Sequence, residues 1–167
     1  MEPLLGLVLG TLVARLAGAL GVRGLTSWRR AVACGLAVMF TMTGIAHFVG
    51  LRDDLVAMVP PALPNPELLV TITGVMELAG AVALLVPRTA GPAAAALTVL
   101  LVSIFPANVY AATNDLAEGA QSMPLLPRTL MQLVFLAATV AVAWPWVTEL
   151  IRSRRSPKPL ATVRQAA

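Results

Sequence analysis

Charged residues are scarce in this sequence. Only 12% of its 167 residues are charged, and 58% are hydrophobic. Soluble domains carry about 25% charged residues. This composition therefore excludes an ordinary soluble domain and predicts a polytopic membrane protein, with the lipid bilayer as its first partner.

Cysteine and histidine are almost absent, which removes most metal and redox sites. The chain has one cysteine, Cys34, and one histidine, His47. An intrachain disulfide, a dithiol relay and a haem held by two histidines of one chain are thereby excluded. We expect no metal site, because a structural zinc site also needs several such ligands.

The net charge of +4 does not indicate a nucleic-acid partner. The basic residues lie in loops and in a tail, between apolar runs, and this distribution is typical of membrane topology. We therefore expect no binding to nucleic acid.

Five apolar runs are long enough to cross a bilayer as helices. They are Pro3–Leu20, Ala31–Val49, Pro66–Val86, Ala93–Ala112 and a run from Pro127 to Trp144 or Trp146. The sequence therefore predicts an all-α, polytopic membrane helical bundle. The first run is open to interpretation as a signal peptide, but the basic residues that begin such peptides are missing, which favours a retained helix.

Three parts follow from these runs. Residues 1–21 are predicted to form an additional N-terminal transmembrane helix, residues 22–148 a four-helix membrane core, and residues 149–167 a basic, disordered cytoplasmic tail. Most basic residues fall on one side of the five spans, and this asymmetry predicts the N-terminus outside and the C-terminus in the cytoplasm. Those basic residues are Arg23, Arg29, Arg30, Arg88, Arg152, Arg154, Arg155, Lys158 and Arg164, and the opposite side has Glu2, Asp53, Asp54, Asp115 and Glu118, with Arg52 and Arg128.

Small residues recur every four positions along the first run, at Gly6, Gly10, Ala14 and Gly18. Such a ridge lets helix backbones approach closely in lipid. Two interpretations stay open, namely packing within the chain and a seam between two copies in a homo-oligomer.

The connection from Leu51 to Asn65 is too short to span and is rich in proline. We interpret it as an interfacial lid over the mouth of the bundle. Asp53 and Asp54 are expected to cap a short amphipathic turn over Leu55 to Val59.

Glu77 interrupts the third span near its middle. An ionised carboxylate at that depth is expensive, so Glu77 should be protonated, paired or facing a wet cavity. Gly74 and Gly80 flank it and would let a neighbouring helix come close.

Three other spans carry polar side chains in the outer half of the membrane. His47 ends the second span on the same face as Thr43, and in the fourth span Pro106, which should kink the helix, precedes Asn108. We expect five side chains to converge on one cavity: His47, Glu77, Asn108, Arg128 and Gln132. Each has a structural alternative, such as packing between helices or an anchor at the interface.

The chemistry of that set is proton uptake by Glu77 or His47, with Arg128, Asn108 and Gln132 as hydrogen-bond donors. It suits a quinone headgroup or a small oxyanion. Nucleophilic catalysis is not indicated, because no Ser–His–acid or Cys–His arrangement is evident.

Several motifs together resemble a known family. TGIAHF, VPPALPNP, GVMELAG, FPANVY and PRTLMQL, in this order, resemble the DoxX family of small bacterial integral membrane proteins, over roughly Val32 to Trp144. The resemblance implies a four-helix core in the bacterial cytoplasmic membrane and an association with redox systems such as a thiosulfate:quinone oxidoreductase.

The function expected from this resemblance is a membrane subunit or a quinone-binding module of a redox system. The chain shows no flavin, haem or iron–sulfur motif, so electron transfer would need a partner subunit or a diffusible quinone. Two other functions stay open, a small proton-coupled permease and a non-catalytic membrane scaffold.

Overall fold

The computed structural model describes residues 2–114 and 124–155, which form six α-helices and no strand. Five of the helices are long and apolar enough to cross a membrane, so the chain is a multi-pass membrane protein with the predicted all-α fold. The helices are α1 Glu2–Ala19, α2 Trp28–Ala46, α3 Arg52–Ala57, α4 Pro66–Leu85, α5 Ala90–Thr113 and α6 Leu125–Arg155.

Four of the helices close into a ring. α2 packs on α4, α4 on α5, α5 on α6 and α6 on α2, while α1 packs on the outside of α2 and the short α3 lies against α4. This is the predicted four-helix core with one additional helix. The centre of the ring is filled by large side chains that are almost fully buried: Leu36, Met39, Phe40, Leu84, Leu97 and Val142.

The small-residue ridge of α1 faces α2. Gly6, Ala14 and Gly18 are buried, and a Cβ atom on Gly10 would stand 3.0 Å from the Cα atom of Gly35 in α2. The ridge therefore serves packing within the chain. The homo-oligomer through α1 stays a prediction, and α1 presents a different set of residues for it: Leu5, Leu9, Leu12, Val13 and Leu16, all exposed.

The second span begins earlier than the sequence predicts. Ser27 caps α2 by accepting a hydrogen bond from the backbone nitrogen of Arg30 at 3.2 Å, so Arg30 lies in the first turn and not in a loop. Its guanidinium donates to the carbonyl of Leu84 at 2.9 Å and to that of Leu85. Arg30 thereby satisfies carbonyls at the end of α4 that have no partner within the helix.

The last helix ends later than predicted. Residues 149–155 are expected in a disordered tail, but they form the last turns of α6. Trp144 and Trp146 lie in this helix, as predicted. Arg152, Arg154 and Arg155 lie in its final turn, where cations interact favourably with the helix dipole. At 31 residues α6 spans about 46 Å, so it extends beyond a hydrocarbon core of about 30 Å.

Some sequence predictions concern residues outside the described ranges. They include the acidic loop with Asp115 and Glu118, and the tail residues Lys158 and Arg164.

Pro106 lies inside α5, which continues through it from Ala90 to Thr113.

Candidate functional site

A cavity of about 780 Å³ lies at one end of the bundle, where α2 and α5 end and α4 and α6 begin. Its volume falls in the range of about 300–1,000 Å³ that is usual for small-molecule sites. The five side chains expected to converge all line it, namely His47, Glu77, Asn108, Arg128 and Gln132. The predicted convergence is therefore confirmed, and what the cavity binds stays a prediction.

Glu77 is 3% exposed and is held by α2. The Thr43 hydroxyl donates to its Oε2 atom at 2.6 Å, and Nδ1 of His47 lies 3.9 Å from the same oxygen. The other oxygen, Oε1, accepts no hydrogen bond from residues 2–114 or 124–155. The sequence predicted only that Thr43 shares a helix face with His47. The hydrogen bond from Thr43 to Glu77 depends on how α2 and α4 are rotated relative to each other.

His47 has a defined tautomer. Its Nδ1 atom lies 2.9 Å from the backbone carbonyl of Thr43, which can only accept a hydrogen, so Nδ1 carries one. Nε2 has no hydrogen-bond partner within the described ranges. In a neutral His47, which lines the cavity, Nε2 is therefore the nitrogen that can accept a hydrogen bond.

Arg128 lies on the opposite pair of helices and does not pair with Glu77. It is 8% exposed, and its Nη1 atom donates to Oδ1 of Asn108 at 3.2 Å. Across the described chain the partners of Glu77 are Thr43 and His47. The acid and the guanidinium therefore occupy different walls of one cavity.

Gln132 joins α6 to α5 from the same wall. Its Nε2 atom donates to the backbone carbonyl of Leu101 at 2.7 Å, one residue before the carbonyl of Val102 that Pro106 leaves without its helical donor. This bond between helices corresponds to the structural alternative given above for Gln132, namely packing between helices. Its side-chain oxygen is not used in that bond.

Two glycines of α4 let two different helices approach. A Cβ atom on Gly74 would lie 2.5 Å from the Cβ atom of His47, the C-cap residue of α2, and one on Gly80 would lie 2.7 Å from Cδ2 of Leu97 in α5. The expected close approach beside Glu77 is therefore confirmed, with Gly74 admitting the histidine of the site.

The connection after α2 covers the cavity, as predicted for a lid. Its contribution to the lining is apolar, and Met58 within it is 5% exposed. The expected cap is wrong, because Asp53 and Asp54 lie inside the first turn of α3 and no side chain caps this helix. The lid residues that line the cavity are Leu51, Leu55, Met58, Val59, Pro60 and Leu63.

Arg52 fastens this lid, a role that the sequence did not reveal. Its guanidinium donates to the carbonyl of His47 at 3.1 Å, to the carbonyl of Glu67 at 3.3 Å and to the hydroxyl of Thr71 at 3.0 Å. It thus joins the first residue of α3 to the end of α2 and the start of α4. The available signal was a lone basic residue in an otherwise acidic connection.

Comparisons with known proteins place the chain in a family whose function has not been assigned. No curated protein and no solved structure matches it. A family profile matches residues 36–149, about two thirds of the chain, and this range includes all five polar side chains of the cavity. The chain therefore belongs to the family described as "Domain of unknown function (DUF8561)".

Proposed function

We propose that this protein is a membrane-embedded module that binds a small amphipathic molecule, with a quinone of a redox system as the first candidate. The observation that carries the proposal is the cavity of about 780 Å³, in which polar groups from four helices meet within largely apolar walls. Small-molecule sites commonly have this composition, since apolar walls supply affinity and a few polar groups fix orientation.

The polar groups suit an aromatic ring that carries two oxygen atoms. On one wall, Arg128 and the amide nitrogen of Asn108 are donors for a carbonyl oxygen. On the other wall, Glu77 and His47 can give or accept a proton. The DoxX-like motifs add the association with redox systems, and a partner subunit would supply the electrons because the sequence has no redox motif of its own.

We further propose a bacterial cytoplasmic membrane, with the N-terminus outside and the C-terminus in the cytoplasm. The cavity end of the bundle has Glu2, Asp53, Asp54 and Glu67 beside Arg52 and Arg128. The opposite end has Arg23, Arg29, Arg30, Arg88 and the basic end of α6. Loops rich in Arg stay in the cytoplasm, so the cavity would open towards the outer face.

The test compares the wild type with Glu77→Gln after purification from native membranes in mild detergent. Glu67→Gln is the matched control, because Glu67 is an exposed acid on the same helix and does not line the cavity. We expect mass spectrometry to find a quinone with the wild type and with Glu67→Gln, and to find it depleted about tenfold from Glu77→Gln.

The other outcomes contradict the proposal and favour a different function. Empty eluates from three equally stable proteins, together with proton-coupled solute flux in proteoliposomes that Glu77→Gln abolishes, would indicate the permease. An aggregated Glu77→Gln protein, with no ligand in the wild type, would indicate the scaffold, in which the polar side chains only fix helix pairing.

A further inference from the structure

Thr43 contacts both proton-carrying side chains of the cavity and uses a different atom for each. Its hydroxyl donates to Oε2 of Glu77 at 2.6 Å, and its backbone carbonyl accepts from Nδ1 of His47 at 2.9 Å. Building on the proposed function, we propose that Thr43 is a positioning residue that makes Glu77 and His47 a donor–acceptor pair for one hydroxyl oxygen. The ligand class selected at this wall is then a phenol or quinol, in preference to an apolar ring of the same shape.

The hydroxyl of Thr43 decides which oxygen of Glu77 carries a proton. This hydroxyl has a single hydrogen to donate. Its oxygen lies 3.3 Å and 3.5 Å from the carbonyl oxygens of Met39 and Phe40 but 2.6 Å from Oε2 of Glu77, so Oε2 is the strongest acceptor within reach. With Oε2 accepting that hydrogen, the proton of the neutral acid belongs on Oε1. Glu77 has no arginine or lysine among its partners in the described chain, which favours the neutral acid inside a membrane.

The carbonyl of Thr43 decides which nitrogen of His47 accepts a hydrogen. Because Nδ1 donates to this carbonyl, Nε2 of the neutral ring is left as the acceptor. Glu77 and His47 both line the cavity. Because Nδ1 of His47 and Oε2 of Glu77 are 3.9 Å apart, the two side chains are close neighbours, and the proposal is that one ligand hydroxyl accepts from Oε1–H of Glu77 and donates to Nε2 of His47.

The same arrangement permits proton exchange without any transfer of electrons. The O–H bond of Glu77 breaks as its proton binds the ligand oxygen, and the hydroxyl hydrogen of the ligand moves to Nε2 of His47. The ligand is unchanged, and the carboxylate and imidazolium that result have Oε2 and Nδ1 3.9 Å apart. Among the residues that the structure describes, the charged ones of other helices around this pair are Glu2 of α1 and Arg128 of α6 on the cavity wall, and Arg52 of α3 on the His47 carbonyl.

The experiment measures how strongly the purified protein prefers a naphthol over the methylnaphthalene of the same shape. We expect the wild type to prefer the naphthol and Thr43→Val to lose this preference about tenfold, because the hydroxyl that orients Glu77 is gone. Thr43→Ser, which keeps the hydroxyl, should retain it. Thr41→Val is the matched control, since Thr41 is exposed on the same helix and its hydroxyl donates to the Ala37 carbonyl of its own helix.

Infrared spectroscopy gives a second readout that needs no ligand. The carbonyl band of the neutral acid should be present in the wild type, absent from Glu77→Gln, and shifted to higher wavenumber in Thr43→Val, because its hydrogen bond is lost. Thr43→Ala removes the same hydroxyl and replaces Thr43→Val if that variant does not fold. An unshifted band in the variant without the hydroxyl, or an unchanged naphthol preference, would overturn the role of Thr43.

Binding of menadione separates this inference from the proposed function. A wild type that binds the naphthol through Thr43 but does not bind menadione would refute the quinone and leave the role of Thr43 supported. A wild type that binds menadione, with a naphthol preference that Thr43→Val does not change, would support the quinone site and refute the role of Thr43.

Discussion

Replacing Gly74 by alanine should disturb the site through a contact between two helices. The added Cβ atom would lie 2.5 Å from the Cβ atom of His47, about 0.9 Å short of the 3.4 Å at which ordinary contact begins. The Cβ atom of His47 is fixed by the backbone of the C-cap of α2, so a change of rotamer cannot relieve the overlap. α2 and α4 must therefore separate locally by about that distance.

This separation acts on the bond that holds Glu77. Moving Thr43 and Glu77 apart by about 0.9 Å would lengthen the hydrogen bond of 2.6 Å to about 3.5 Å, where little of it remains. Overpacking costs about 1–3 kcal/mol, and the lost hydrogen bond adds about 1 kcal/mol. We expect a lower melting temperature in detergent and loss of the hydrogen-bonded acid band of Glu77 in the infrared spectrum.

Gly80→Ala is the matched control on the same helix. The three atoms nearest to its Cβ atom all belong to the side chain of Leu97, at 2.7 Å and 2.9 Å, so it lies on the α5 side of α4. A leucine side chain can adjust more readily than a backbone, so this variant should lose less stability and keep the acid band. Equal stability of the two variants, with the acid band unchanged in Gly74→Ala, would refute the reasoning.

Three further predictions follow from single contacts. Arg52→Gln should release the lid, and amide hydrogen exchange over residues 51–63 should accelerate about tenfold with the helices of the core unchanged, whereas equal exchange would contradict the role of Arg52. Gln132→Leu should lower the free energy of unfolding by about 1 kcal/mol, because the buried hydrogen bond from Gln132 to the carbonyl of Leu101 is lost, and unchanged thermal stability in detergent would show that the bond contributes nothing. Arg30→Gln should speed exchange only in the last turn of α4, by severalfold, since the bond lost is partly exposed to the interface, and faster exchange throughout α4 would contradict this local role.

Much of the fold could be predicted because each transmembrane helix forms for a reason that lies within its own segment of the sequence. A backbone in hydrocarbon must satisfy its own hydrogen bonds, so an apolar run of about 20 residues becomes a helix whatever its neighbours are. The third span shows this, with Pro66 in the first helical turn and a C-terminal boundary within one residue of the prediction. The start of the second helix was missed by three residues, although Ser27, its N-cap, is of a residue type that favours this position.

The lid and its fastening show where the sequence was less informative. The length and prolines of residues 51–65 predicted a short cover that cannot span the membrane. The attachment through Arg52 was not predictable, because its acceptors are carbonyls of two other helices and every residue has a carbonyl.

The sequence by itself determined the membrane class, the five spans and the polar residues that such spans rarely carry, because each of these depends on composition along one segment. The tertiary structure decided how the helices rotate, and with them the partners of each polar group. Glu77 binds Thr43 and not Arg128, and Gln132 reaches the carbonyl of Leu101, because of the side on which each helix meets its neighbour. A rotation of one residue, about 100° around a helix, would move each of these groups to a different neighbour, and only the packing of all the helices fixes that angle.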